Sequence, residues 1–151
     1  MRISIYKIHT DHGTYVGQTK DFNVRMGYHY KCKTTTEPST RPIVHALRAT
    51  PEERLRVEEI GLYDVKERRD VGILERYWIN QTKVNLNVLE KDRGNAMYHD
   101  DVIEFERDAR CERDKDDRIC TDFKHNYDVL CIIERMWSLT LDEPLDDAWD
   151  R

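Results

Sequence analysis

The chain has 151 residues, 36% charged and 38% hydrophobic, which suits one ordinary globular domain or a compact domain with an appendage. No apolar run approaches the roughly 18 residues of a membrane span. The opening MRISIYKI enters an alternating pattern with no secretory leader, so an intracellular protein with no membrane partner is expected, cytoplasmic or nucleoid-associated, or nuclear in a eukaryote. The formal charge of −5 is unevenly spread. Residues 98–151 hold 17 acidic and 8 basic residues, net −9, and the first 97 hold the remaining 13 and 17, net +4. The first region can approach a phosphate backbone, and the second would be repelled by it.

Residues 2–9 alternate, with Ile3, Ile5 and Lys7 on one face and Ser4, Tyr6 and Ile8 on the other. A turn at Asp11-His12-Gly13 and a second run, TYVGQT, complete a predicted hairpin across which Tyr6 and Tyr15 face each other. Asp21 is a natural N-cap for a helix carrying Phe22, Val24, Arg25, Met26, Tyr28 and His29. KCKTTTEPSTR reads as a loop, followed by a short helix over about 42–48 with Ser39 or Thr40 near its cap. RLRVEEIG predicts a third strand, ended by Gly61. Asp64 then caps a helix over about 65–82, in which Val71, Leu74, Tyr77, Trp78 and Gln81 recur at helical spacing. The expected fold class is α+β, a small three-stranded, mainly antiparallel sheet flanked by helices over 1–92.

Composition shifts beyond Asp92-Arg93-Gly94-Asn95, and 93–151 reads as an acidic, mostly helical C-terminal extension. Residues 100–117 are charge-dense. Ile119, Phe123, Tyr127, Leu130, Ile133 and Trp137 then form one apolar stripe on a helix of about five turns. That stripe must be buried on the preceding domain, on a helix within 100–113, or on a protein partner or second copy of the chain. The last segment, LDEPLDDAWDR, reads as a loosely held tail. Cys111, Cys120, His125 and Cys131 match no standard zinc spacing, and with Cys32 the cysteines read as thiols rather than ligands.

Chemistry is carried by an ordered set of polar residues. Tyr6 and Tyr15 lie in the hairpin, Arg25 and His29 lie four apart on one helix face, Glu75 lies in LERYWIN, and Asn87 in NLNV. Singly, each has a plainer reading: strand aromatics, surface charges, a helix-surface histidine, a strand-ending amide for which Asn85 is a rival. As a set, SIYKI, GTYVGQTKDFNVRMGYHY, LERYWIN and NLNV resemble the GIY-YIG nuclease family over about residues 3–88. Two positions depart from the family pattern, Ser4 for its first Gly and Val16 for its middle Ile, and neither removes a catalytic group. Ser4 is expected to tighten the backbone's approach to a neighbouring strand or to DNA.

The resemblance implies a metal-dependent DNA endonuclease hydrolysing phosphodiester bonds with one Mg²⁺ or Mn²⁺. Glu75, the only acid of the set, would ligate a hard cation that completes its shell with water and phosphate oxygens. Arg25 offers a planar fork to the scissile phosphate. Tyr6 would deprotonate the attacking water, helped by a neighbouring cation because a free phenol titrates near pH 10. Tyr15 and His29 would orient that water or relay its proton, and Asn87 would hold the site by side-chain hydrogen bonds. Lys7, Lys20, Lys31, Lys33, Arg41 and Arg48 read as phosphate contacts or solvated charges. The competing reading is a non-cleaving DNA- or protein-binding module on the same fold, motivated by Ser4 and the acidic extension. That extension would be a helical cover for a thin core, a partner-docking element, or an autoinhibitor lying on the basic face.

Overall fold

In a computed structural model of the chain, residues 1–82, 86–87 and 99–138 are described. The expected division at residue 92, the alternative Asn85 and the C-terminal tail lie outside them. The elements are β1 (Arg2–Thr10), β2 (Gly13–Thr19), α1 (Phe22–Thr34), α2 (Pro42–Ala49), a 3-10 turn (Glu52–Arg54), β3 (Arg56–Asp64), α3 (Arg68–Asn80), α4 (His99–Ala109), β4 (Arg110–Cys111) and α5 (Phe123–Ser138). The fold is α+β, with a four-stranded antiparallel sheet in the order β2-β1-β3-β4 and helices around it. The three expected strands are present. The fourth, two residues long, comes from the region expected to be charge-dense and helical. No helix among the described residues is long and apolar enough to cross a membrane.

β1 is central and buried on both faces. Ile3 and Ile5 enter a core with Val16, Tyr63, Val71, Leu74 and Ile79. Tyr6 and Ile8 enter a second core with Phe22, Met26, Ile43, Val44, Leu47 and Phe123. Helix α3 thus covers one face and α1 with α2 the other, while Lys7 lies on the α3 side with Nζ 5.6 Å from the Trp78 ring centroid. The hairpin turns through Asp11 and His12 into Gly13, whose φ of 141° lies in a region that L side chains rarely adopt. That turn sets a register in which Tyr6 pairs with Gly17 and Tyr15 with Ile8. The two tyrosines are therefore diagonal neighbours on one face rather than directly opposed. Gly61 does not end β3, which continues through Leu62 and Tyr63 to Asp64 because β1 pairs with it as far as Arg2.

Asp21 caps α1 as expected, accepting from the Val24 N–H at 3.0 Å. Arg41 occupies the cap position of α2 with no side-chain cap bond, and Pro42 begins the helix where its missing N–H costs nothing. α3 starts later than expected, at Arg68, because Glu67 and Asp70 form a reciprocal capping box. Asp64 instead accepts from the Met1 amino group at 3.0 Å.

α5 packs on α1 at small residues: a Cβ on Gly27 would lie 2.8 Å from the Asn126 carbonyl oxygen and 2.9 Å from the Leu130 Cβ. Phe123 and Leu130 of the expected stripe are buried, as is Asn126, whose amide donates to the Cys120 carbonyl at 2.7 Å. Trp137 is 46% exposed. Lys31, in the last turn of α1, pairs with Glu134 at 3.1 Å, which brings the turn of α5 carrying Trp137 to the C-terminal end of α1.

Candidate active site

β2 is an edge strand, and the tyrosine at the centre of β1 reaches across it. The Tyr6 ring passes over Gly17, where an added Cβ would lie 2.4 Å from both Cζ and Oη. Gly17 therefore opens the path by which the phenol of a buried residue arrives beside α1. There the Tyr6 oxygen lies 2.8 Å from His29 Nε2 and accepts from Arg25 Nε–H at 3.2 Å. The arginine N–H can only donate, and the Tyr6–His29 contact shares one hydrogen whose place is set by the histidine tautomer. Tyr15 completes the aromatic wall, with its ring centroid 6.3 Å from Tyr6 and 5.7 Å from His29, while Phe22 packs edge-on at 6.0 Å.

The electrostatics follow from burial. Tyr6 is fully buried, and desolvation pushes its phenol well above the ordinary range; Tyr15 adds to that, and the Arg25 guanidinium opposes it. Glu75 enters from α3 and is half-buried. Desolvation raises its carboxyl and the Arg25 charge lowers it. Glu75 in turn acts on Tyr6, so Arg25, Glu75 and the Tyr6 hydroxyl lie within one another's fields.

Asn87 fastens this edge. Its Oδ1 accepts from the Val16 N–H at 2.9 Å, its Nδ2 donates to the Val16 carbonyl at 2.7 Å, and the Leu86 N–H donates to Thr14 at 2.9 Å. The amide side chain satisfies both backbone groups of the residue beside Tyr15, which would otherwise be open on an edge strand. Arg25 and His29 therefore meet at the Tyr6 hydroxyl, the Tyr15 ring packs near the Tyr6 ring, the Glu75 charge reaches Tyr6, and Asn87 holds the strand beneath Tyr15.

The candidate phosphate contacts divide. Lys33 donates to the Leu47 and Thr50 carbonyls at 2.6 Å each, closing the C-terminal end of α2. Arg48 donates to the Cys32 carbonyl at 3.0 Å, and Lys31 pairs with Glu134. Lys20 and Arg41 are exposed, the latter with Nη2 3.6 Å from Cys32 Sγ.

Two features escaped the sequence reading. One is Gly17 as a clearance, whose only signal was its place in TYVGQT. The other is the set of partners of Ser4, which is buried, donates to Glu59 at 2.5 Å and accepts from Arg113 at 3.1 Å, while Arg113 also pairs with Glu59 and, at 2.9 Å, with Asp117. The Ser4 hydroxyl thus serves contact with the C-terminal extension, 109 residues away, and no local pattern encodes it.

Among the described residues no group of three or more His, Cys, Asp or Glu could hold a metal ion, and a hard cation on Glu75 would have to take the rest of its shell from water and phosphate oxygens. Cys32, Cys111, Cys120 and Cys131 are half-buried free thiols. Comparison with protein-family models, curated proteins and solved structures finds no match for the chain.

Proposed function

We propose that the chain is a metal-dependent DNA endonuclease of the GIY-YIG type, with its site at the β2 edge. The observation that carries this reading is the Tyr6 hydroxyl shared between Arg25 and His29, with Glu75 of α3 close enough for its charge to act on both Tyr6 and Arg25. Burial holds the proton on Tyr6, so the phenol is not a ready-made base. His29 as the Nδ1–H tautomer gives it an outlet: as an incoming water gives its proton to the Tyr6 oxygen, the phenolic proton passes to His29 Nε2, 2.8 Å away. The base is then the Tyr6–His29 pair, and the step leaves an imidazolium instead of an unshielded phenolate. Arg25 holds the Tyr6 oxygen through Nε and brings to the same place a guanidinium, whose planar fork suits a phosphate. Glu75 would hold the Mg²⁺ or Mn²⁺, which when bound supplies positive charge to the phosphoryl and leaving oxygens. DNA is the expected partner, met by the more basic first 97 residues.

Full burial of Tyr6 favours one alternative, a module that binds DNA or protein without cutting. Cleavage of supercoiled plasmid and of a branched oligonucleotide with Mg²⁺ or Mn²⁺ separates the two. Glu75→Ala is expected to abolish cutting while retaining DNA binding, and to stabilise the fold at neutral pH by about 0.5–2 kcal/mol, as removal of strained site groups commonly does. Binding by the wild-type protein with no cutting under either metal would support the module.

A further inference from the structure

We propose that Tyr63 is a positioning residue for Glu75, acting through Trp78 and gripped by the C-terminal extension; the proposal rests on the metal role given to Glu75 above. Tyr63 is fully buried in β3, yet its hydroxyl is the meeting point of three side chains. It accepts from Trp78 Nε1–H at 3.0 Å and from Arg110 Nη2 at 2.8 Å, and it donates to Glu106 at 2.6 Å. Arg110 also pairs with Glu106, donates Nη1 to the Ile60 carbonyl at 3.1 Å, and lies 5.2 Å from the Tyr63 ring centroid and 5.9 Å from that of Trp78.

Trp78 stands three residues after Glu75, one turn along α3 and about 60° around it at 100° per residue. A bond that fixes the indole therefore fixes the rotation of α3 about its axis, and with it the direction in which the carboxylate leaves the helix. The packing face alone defines that rotation less sharply, because Val71, Leu74 and Ile79 are aliphatic and tolerate sliding. Gly61 carries a second, independent sign that Arg110 belongs here. A Cβ on Gly61 would lie 2.9 Å from Arg110 Nη1, 3.1 Å from Cζ and 3.0 Å from the Tyr63 hydroxyl. The glycine expected to end a strand instead makes room for the guanidinium. Groups that fix the direction of a metal ligand typically change metal affinity by about 10–100-fold when removed.

The test is Mn²⁺ binding to the full chain, followed by loss of the free-ion paramagnetic resonance signal, with an uncleavable phosphorothioate duplex present. Wild type, Glu75→Ala, Tyr63→Phe, Trp78→Phe and the double Tyr63→Phe/Trp78→Phe variant are compared, with thermal unfolding recorded for each. Tyr63→Phe keeps the buried ring and removes only the oxygen, while Trp78→Phe breaks the same bond from the other side. The expected result is Mn²⁺ binding weakened by about tenfold in either single variant and no further in the double, as one shared bond requires. Unchanged Mn²⁺ affinity in folded Tyr63→Phe and Trp78→Phe, alongside binding that Glu75→Ala abolishes, would overturn the positioning role alone. Wild-type Mn²⁺ binding indifferent to Glu75→Ala would overturn the metal reading itself, and this proposal with it.

Discussion

Replacing Gly17 by alanine adds one methyl group at the most crowded point of the site. The new Cβ would sit 2.4 Å from Tyr6 Cζ and Oη and 2.9 Å from Tyr15 Cε1, where ordinary contact begins at 3.4 Å. Tyr6 must then retreat by 1.0 Å, the difference between those two distances, and it has no free volume to retreat into. Its ring is fully buried, edge-on to Phe22 at 6.0 Å and to His29 at 5.8 Å. A shift of that size stretches the Tyr6–His29 contact of 2.8 Å and the Arg25 contact of 3.2 Å toward or past hydrogen-bonding range. Overpacking should cost about 1–3 kcal/mol, or about 2–4 °C of Tm for each kcal/mol in a chain of this size. A displacement of about 1 Å at the reacting groups is expected to lower cleavage by about a hundredfold. Gly72→Ala is the matched control: it lies mid-α3 with nothing within 4 Å of the new Cβ, and should stabilise by about 0.5–1 kcal/mol with unchanged cleavage. Thermal unfolding and plasmid nicking of the two variants decide the matter. Gly17→Ala with wild-type Tm and wild-type nicking would refute the view that the Tyr6 ring crosses β2 at this residue.

Alkaline pH should weaken the fold from about pH 10 upward. Burial pushes both the Tyr6 and the Tyr63 phenols up, so the unfolded chain loses those protons first, and stability present below the ordinary phenol range is lost as pH rises through it. Urea unfolding between pH 8 and 11 measures this, and Tyr63→Phe should flatten part of the decline; a flat wild-type profile would count against it. Truncation after residue 97 should yield an insoluble or molten product instead of a faster nuclease. It removes Phe123 and Leu130, buried apolar side chains worth about 1.5–3 kcal/mol each, and strips Arg110 from Tyr63 and Arg113 from Glu59. Gel filtration and near-UV circular dichroism test it. A soluble, native-like fragment with raised cleavage would restore the autoinhibitory reading.

The local parts of this protein were legible in the residues themselves. Alternation placed Ile3 and Ile5 opposite Tyr6 and Ile8, because side chains in a strand alternate whatever lies beyond it. Asp21 announced α1 because a cap bond spans only three residues. The ordered tyrosines, Arg25, His29, Glu75 and Asn87 were all named, since each stands in a short recognisable string. What required the tertiary structure depends on contacts between distant segments. The Gly13 turn sets a diagonal rather than direct Tyr6–Tyr15 relation, and the capping box at Glu67 and Asp70 moved the start of α3 away from Asp64. Lys33 carries a charge that suits DNA, but the carbonyls at the end of α2 claim it. Above all, the acidic extension looked like an appendage because its net charge is −9, and charge sums say nothing about which side chains face inward. Two of its arginines do so: Arg110 grips Tyr63 and Arg113 grips Ser4 and Glu59. Those contacts span roughly fifty to more than a hundred residues, a separation at which only the folded chain can bring a guanidinium to its acceptors.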